Sequence, residues 1–125
     1  MISSIWRDLL NIPYWNKEPV WIHGDFLPGN ILIKKNRLTA VIDFSDVGIG
    51  DPACDLVIAW TLLGSRSRNI FKKNLEQVGN DTWERGRGWA LSIALIMLAY
   101  YKNTNPVLTA LARRMVKQVL ANKNG

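Results

Sequence analysis

Residues 1–125 read as one α+β domain, mostly α, and three features of the sequence say so. Runs of β-branched residues are confined to the first third of the chain, and helical apolar spacing governs the rest. The third feature is balance: 48% apolar against 21% charged residues is the proportion of a chain with a core, which excludes disorder along its whole length. At this length roughly two-thirds of the unfolded chain's surface is buried on folding, enough for one domain and too little for two.

Each element follows from local chemistry. Val20-Trp21-Ile22-His23, after Pro19, is a short strand, and Gly24 with Pro28-Gly29 turns residues 24–29 into a loop. Ile31-Leu32-Ile33 and Leu38-Thr39-Ala40-Val41-Ile42 flank the polar turn Lys34-Lys35-Asn36-Arg37, the pattern of a hairpin. That hairpin carries Asn30 at one end and Asp43 at the other, which can bring the two side chains together.

Asp51-Pro52 is an N-cap followed by proline at the first helical position, so a helix is expected over 52–63, ended by Gly64. Its residues are apolar on every side, which places it at the centre of the domain. A shorter polar helix is expected over 66–77. Asp81-Thr82-Trp83-Glu84 matches a capping box opening a helix to residue 101, with Gly86 and Gly88 marking close packing. Asn105-Pro106 repeats the cap-plus-proline signal, and Val107, Leu108, Leu111, Ala112, Met115, Val116, Val119 and Leu120 form an apolar stripe behind it.

Several function classes drop out. A single cysteine, Cys54, and a single histidine, His23, supply neither a disulfide nor a zinc site, and Cys54 is expected to be a small core residue. Arg7 and Asp8 stand where a leader peptide needs its apolar stretch, and the longest apolar run, 89–101, falls short of the roughly 20 residues that span a bilayer. A cytoplasmic protein without a membrane partner is therefore expected. The net charge of +6 comes from scattered pairs such as Lys34-Lys35 and Lys72-Lys73, without interleaved stacking aromatics, which argues against nucleic acid. Trp60, Trp83 and Trp89 are read as packing residues, with Trp83 and Trp89 the two that could line an acceptor pocket. The acidic residues are more informative, because Asp25, Asp43, Asp46, Asp51 and Asp55 gather half of the ten carboxylates into residues 25–55.

Two segments there carry chemistry: His23-Gly24-Asp25-Phe26-Leu27-Pro28-Gly29-Asn30 and, one hairpin later, Ile42-Asp43-Phe44-Ser45-Asp46. An isolated Gly-Asp is ordinarily a turn. Here an Asn follows Asp25 at the fifth position and a second Asp lies across a hairpin. Phosphoryl transfer needs that set: a carboxylate to take the proton of an attacking hydroxyl, and oxygen ligands that hold Mg²⁺ against nucleotide phosphates. Protein kinases use His-Arg-Asp with Asn five residues on, then Asp-Phe-Gly, and this chain offers His-Gly-Asp, Asn at the same offset, and Asp-Phe-Ser.

These motifs, with Gly50-Asp51-Pro52-Ala53-Cys54-Asp55-Leu56 behind them, resemble the aminoglycoside phosphotransferase family of kinase-like small-molecule kinases. The resemblance runs in order from about residue 15 onward. It implies the C-terminal lobe of the protein-kinase-like fold, a small hairpin carrying the catalytic loop against about four helices. It makes Asp25 the catalytic base, Asn30 and Asp43 the Mg²⁺ ligands at the nucleotide, and His23, Asp51 and Asp55 positioning residues. Asp46 is read as a loop residue. The cofactors implied are Mg²⁺ and ATP, or GTP, as phosphate donor. Leu27 stands where the family often has His, and Ser45 where it often has Gly.

The same resemblance implies an N-terminal nucleotide lobe, with a glycine-rich loop and a strand lysine, that these 125 residues do not contain. A truncated gene, one half of a kinase completed by a separate chain, and a remnant reused as a binding module are the three readings of that gap. The leading expectation is ATP- and Mg²⁺-dependent transfer to a small-molecule hydroxyl, with a non-catalytic binding fragment as the alternative. With few carboxylates outside the motifs, a strongly cationic acceptor is disfavoured, and macrolide-like, sugar, choline-like or amino-alcohol acceptors stay open. Part of the apolar total is expected to face the missing lobe, leaving an isolated chain marginally stable, sticky or paired.

Overall fold

The computed structural model describes residues 1–121. In chain order its elements are α1 (Ile2–Leu10), β1 (Val20–Ile22), β2 (Ile31–Lys34), β3 (Arg37–Val41), β4 (Gly48–Gly50), α2 (Ile58–Thr61), α3 (Ser65–Lys73), α4 (Asn80–Tyr101) and α5 (Pro106–Ala121). Short 3₁₀ helices occupy Pro28–Asn30 and Pro52–Val57. This is the mostly helical α+β architecture expected. Among the described residues no helix is long and apolar enough to cross a membrane.

The hairpin forms for the anticipated reason. Lys34 pairs with Arg37 around the two-residue turn Lys35-Asn36, whose φ values of 51° and 60° are the left-handed pair that a right-twisted hairpin requires. Thr39 is left over between the Leu32–Ala40 and Ile33–Leu38 pairs, a bulge that bends β3. A second antiparallel pair, β1 with β4, sets Trp21 opposite Ile49. Strand β4 was not expected, because the two glycines in Gly48-Ile49-Gly50 give no strand signal of their own.

The core lies among α1, α4, α5 and the segment 52–61. Ile5, Val57, Trp60, Leu91, Met115 and Val119 are fully buried, and Trp60 stacks on Trp83 at 4.9 Å between ring centres. Helix α1 was also unforeseen, although Ile2, Ile5, Trp6 and Leu9 hold helical spacing. Ile5 and Leu9 are its buried residues.

Three boundaries differ from expectation. Residues 52–63 are not one α-helix: six residues wind as 3₁₀ before a single α-turn, α2. Three residues per turn aligns Ala53 with Leu56 and Cys54 with Val57. The first pair packs where α4 passes at Gly86, a position at which a methyl group would stand 2.7 Å from Leu56 Cβ, so the close packing expected at that glycine is real. Helix α3 stops at Lys73, not 77, because the Asn74 side chain folds back onto the Ile70 carbonyl (2.8 Å) and closes the end. The capping box fails: α4 begins at Asn80 behind Gly79, so Asp81 already lies in the first turn, and Glu84 pairs with Arg87 (2.8 Å) instead of reaching back. At α5 the expected cap is present, with Asn105 Oδ1 accepting the Leu108 N–H at 3.1 Å.

Arg68, expected on a polar surface helix, is only 1% exposed. Its guanidinium donates to the Ala59 and Leu63 carbonyls and to Gln118 Oε1 (3.0 Å), joining α3, α2 and α5. Burial, and secondarily Arg114, pull its pKa below the usual guanidinium value.

Candidate active site

The loop between β1 and β2 is held from below by one carboxylate. Asp55 accepts the backbone N–H of His23 at 2.7 Å and that of Gly24 at 3.1 Å, two donors that the turn would otherwise leave unpaired. Gly24 has φ +87°, and a side chain there would run into the Asp46 carbonyl, so glycine is required twice over. Asp46 itself is exposed in the facing loop, as expected.

His23 joins the two halves of the motif. Its ring is buried; Nδ1 accepts the Asp25 N–H at 3.1 Å, and Nε2 lies 2.8 Å from the Ile42 carbonyl. These partners assign the tautomer with the proton on Nε2, donating to Ile42. Phe44 meets the ring edge-on at 4.6 Å. One imidazole thus ties the backbone of Asp25 to the residue before Asp43.

Asn30 faces Asp25. Its Nδ2 donates to the Asp25 carbonyl at 2.8 Å and to carboxylate Oδ2 at 3.1 Å, while its own carbonyl accepts the Ile42 N–H at 2.9 Å. The 3₁₀ turn Pro28–Asn30 makes this possible by folding the chain back within five residues. Asp43 sits one residue past that contact with φ 59°, a left-handed conformation that Asp tolerates better than most residues. Its exposed carboxylate accepts Ser45 Oγ at 2.7 Å. That bond, then the Ser45 backbone N–H, holds its pKa below the usual 3.8. The structure therefore brings Asp25 and Asn30 into contact, and the hairpin ties the backbone of Ile42, the residue before Asp43, to Asn30, while the Asp43 side chain bonds Ser45.

A sequence model of the phosphotransferase enzyme family matches residues 2–89. The chain belongs to that family. Aminoglycoside 3'-phosphotransferases of Escherichia coli and Salmonella typhimurium are each 30% identical over 80 residues, 64% of this chain and 30% of theirs. An uncharacterized protein of Bacillus subtilis, YcbJ, is 33% identical over 73 residues, 58% of this chain and 24% of its own. Among solved structures, the aminoglycoside phosphotransferase APH(4)-Ia, in a ternary complex with AMP-PNP and hygromycin B, superposes with a TM-score of 0.56 at 20% identity. That superposition covers 99% of this chain and 44% of that protein. The fold is that of a kinase-like phosphotransferase lobe, and the chain spans less than half the length of these relatives.

The donor set suits the metal that such a fold implies. Among the described residues no three His, Cys, Asp or Glu side chains cluster as a metal cage. One ionised carboxylate, Asp43, and the Asn30 amide oxygen, which accepts no hydrogen bond from the described residues, are hard oxygen donors of the kind Mg²⁺ takes when phosphates and water complete its shell.

Around this phosphotransferase core, Asp51 caps the 3₁₀ helix by accepting the Ala53 N–H at 3.0 Å. Its carboxylate also receives Arg85 through Nε (2.7 Å) and Nη2 (3.2 Å), and Arg85 Nη1 donates to the Pro13 carbonyl at 2.7 Å. Sequence reasoning missed Arg85; the only hint is that an N-cap aspartate on a buried helix needs a counter-ion. Cys54 is half-buried and its thiol is pushed up to about 11, by burial first and then by Asp55 and Asp51, which removes it as a nucleophile near neutral pH. Of the tryptophans considered for an acceptor pocket, Trp83 lies in the core and Trp89 stands 47% exposed beside the loop.

Proposed function

We propose that this chain is the acceptor- and metal-binding lobe of an ATP- or GTP-dependent phosphotransferase acting on a hydroxyl of a small molecule, an antibiotic or a related metabolite. The observation that carries the reading is the Asp25 carboxylate fixed by Asn30 at 3.1 Å, with Asp43 one residue beyond the Ile42 N–H that the Asn30 backbone carbonyl accepts.

Asp25 takes the acceptor's hydroxyl proton as the new oxygen–phosphorus bond forms. The bond from the γ-phosphorus to its bridging oxygen breaks, and the electron pair leaves with the nucleoside diphosphate. Asn30 orients Asp25; its amide oxygen and the Asp43 carboxylate would hold Mg²⁺, which would offset the charge of the phosphates. His23, Asp51 and Asp55 are positioning residues that act through the loop backbone.

The nucleotide clamp comes from a second lobe, in the same or a separate chain. Apolar pairs left in solvent on both sheets, Trp21 with Ile49 and Ile33 with Leu38, support a covering partner of that kind. The reaction belongs in the cytoplasm, where the nucleotide is, and involves neither nucleic acid nor membrane.

The test is phosphate transfer from labelled ATP, by these 125 residues alone and after joining them to the nucleotide lobe of a family member. No transfer is expected alone. Transfer is expected after complementation, and it should be lost in Asp25→Ala. An active complemented Asp25→Ala protein overturns the assignment of the base, and robust transfer by the lone chain overturns the need for a second lobe. Ligand binding without turnover in every arm favours a binding module instead.

A further inference from the structure

A hollow of about 250 Å³ opens directly against Asp25, between the loop, the 3₁₀ helix and α4. Phe26, Leu27, Cys54, Val57, Trp89 and Ile93 form most of its wall. On the far side of Trp89 lies a second hollow of about 380 Å³ against α1, where Trp6, Leu9 and Leu10 continue the apolar lining. Trp89 and Asp51 border both, so the half-exposed indole is a shared partition.

The charges decide what such a place accepts. Three carboxylates lie near the first hollow, yet two are already engaged. Asp51 is bound by Arg85 and the Ala53 amide, and Asp55 by the His23 and Gly24 amides. Asp25, whose carboxylate accepts only the Asn30 amide, is left to serve the hydroxyl and at most one ammonium group. In the second hollow Asp51 and Arg85 are paired with each other and add no net charge to the wall. A second ammonium group brought here without a carboxylate would lose its hydration and gain no partner, which is strongly unfavourable for each added charge. Apolar and aromatic groups lose nothing of the kind, and the indole face offers them a flat stacking surface.

We propose that the acceptor of this site is an alcohol with an aryl or alkyl body and at most one positive charge, stacked on Trp89 with its hydroxyl toward Asp25, and not a polycationic aminosugar. The proposal rests on Asp25 being the base, as argued above. The step is unchanged: the alcohol's proton goes to Asp25, its oxygen bonds the transferred phosphorus, and the nucleoside diphosphate departs. Trp89 and Ile93 then determine specificity without touching the reacting atoms. The thiol of Cys54, uncharged near neutral pH, keeps its part of the wall neutral as well.

Binding can be read without nucleotide or turnover. The indole N–H resonance of Trp89 in the ¹⁵N-labelled chain, assigned by its loss in Trp89→Phe, is titrated with 4-phenyl-1-butanol, with N-benzylethanolamine and with the polycation kanamycin A. Saturable shifts are expected with the first two and none with kanamycin A at the same concentrations. Ile93→Glu places a carboxylate in the wall and should bring on kanamycin A shifts at concentrations where the unaltered chain shows none. In the complemented enzyme, Trp89→Ala should raise KM for an aryl alcohol by about tenfold or more, with kcat changed by less than about threefold. Tighter binding of kanamycin A than of the alcohols to the unaltered chain overturns the proposal, as does indifference of the alcohols to Trp89→Ala. Transfer to kanamycin A in preference to the alcohols defeats this inference while leaving the phosphotransferase reading intact. Alcohol binding as expected, without transfer after complementation, defeats that reading and leaves the pocket.

Discussion

The helical body and the catalytic loop region are stabilised by different means. In the body, α4, α5 and the 52–61 segment bury Trp60, Leu91, Met115 and Val119 completely, and the buried Arg68 finds acceptors on two other helices. In the loop region Trp21 is 76% exposed, the hairpin leaves Ile33 and Leu38 in solvent, and order comes from hydrogen bonds: Asp55 to two amides, His23 to Asp25 and Ile42, Asn30 to Asp25. A region held by polar contacts over little apolar burial opens at low free-energy cost. The candidate site is therefore carried on the part of the fold with the least apolar burial of its own.

Four perturbations test that division, the largest first. Asp25→Ala in the complemented protein should lower kcat by about 10³-fold, within the usual range for a general base, while the thermal midpoint stays where it was. A matching loss of stability would mean that Asp25 belongs to the scaffold. Arg68→Ala should cost about 3 kcal/mol in urea unfolding, since it strands two carbonyls and Gln118 in the core, and both regions should melt together. Gly24→Ala should cost about 2 kcal/mol, from a left-handed backbone carrying a side chain against Asp46. Hydrogen exchange should accelerate at the amides of residues 23–30 and stay slow at Leu91; uniform acceleration would erase the distinction between the regions.

The smallest effect concerns Asp43. Its carboxyl titrates below 3.8 in the folded chain because of Ser45, so whatever this group adds to stability is present above that pH and fades as pH falls through the lowered value. Ser45→Ala should move the Asp43 midpoint upward toward 3.8, read from its carboxyl carbon shift. An unchanged midpoint would show that the Ser45 hydroxyl contributes nothing.

Much of this is legible in the sequence. The hairpin turn at Lys35-Asn36, the caps at Asp51 and Asn105, and the placing of Asp25 and Asn30 on one loop all arise from residues within five positions of one another, where sequence spacing is spatial spacing; the Asn30 side chain was expected beside Asp43 and instead bonds Asp25. The loop's anchor on Asp55, 32 positions away, was reached only through the family resemblance. What escaped depends on distant partners. Strand β4 exists because β1 pairs with it, Arg68 is buried because Gln118 arrives 50 positions later, and Arg85 finds Pro13 across 72. The capping box misled because its pattern was satisfied in composition while Gly79 had already started the helix.

The Arg85 link to Pro13 also sets an order in time. A ribosome delivers residue 13 first and residue 85 only after 72 more, a wait of roughly 4–14 s at ordinary synthesis speeds. Through that interval the apolar side of α1 has neither the α4 surface around Gly88 nor its arginine tether, and it meets the cell as an unattached amphipathic segment.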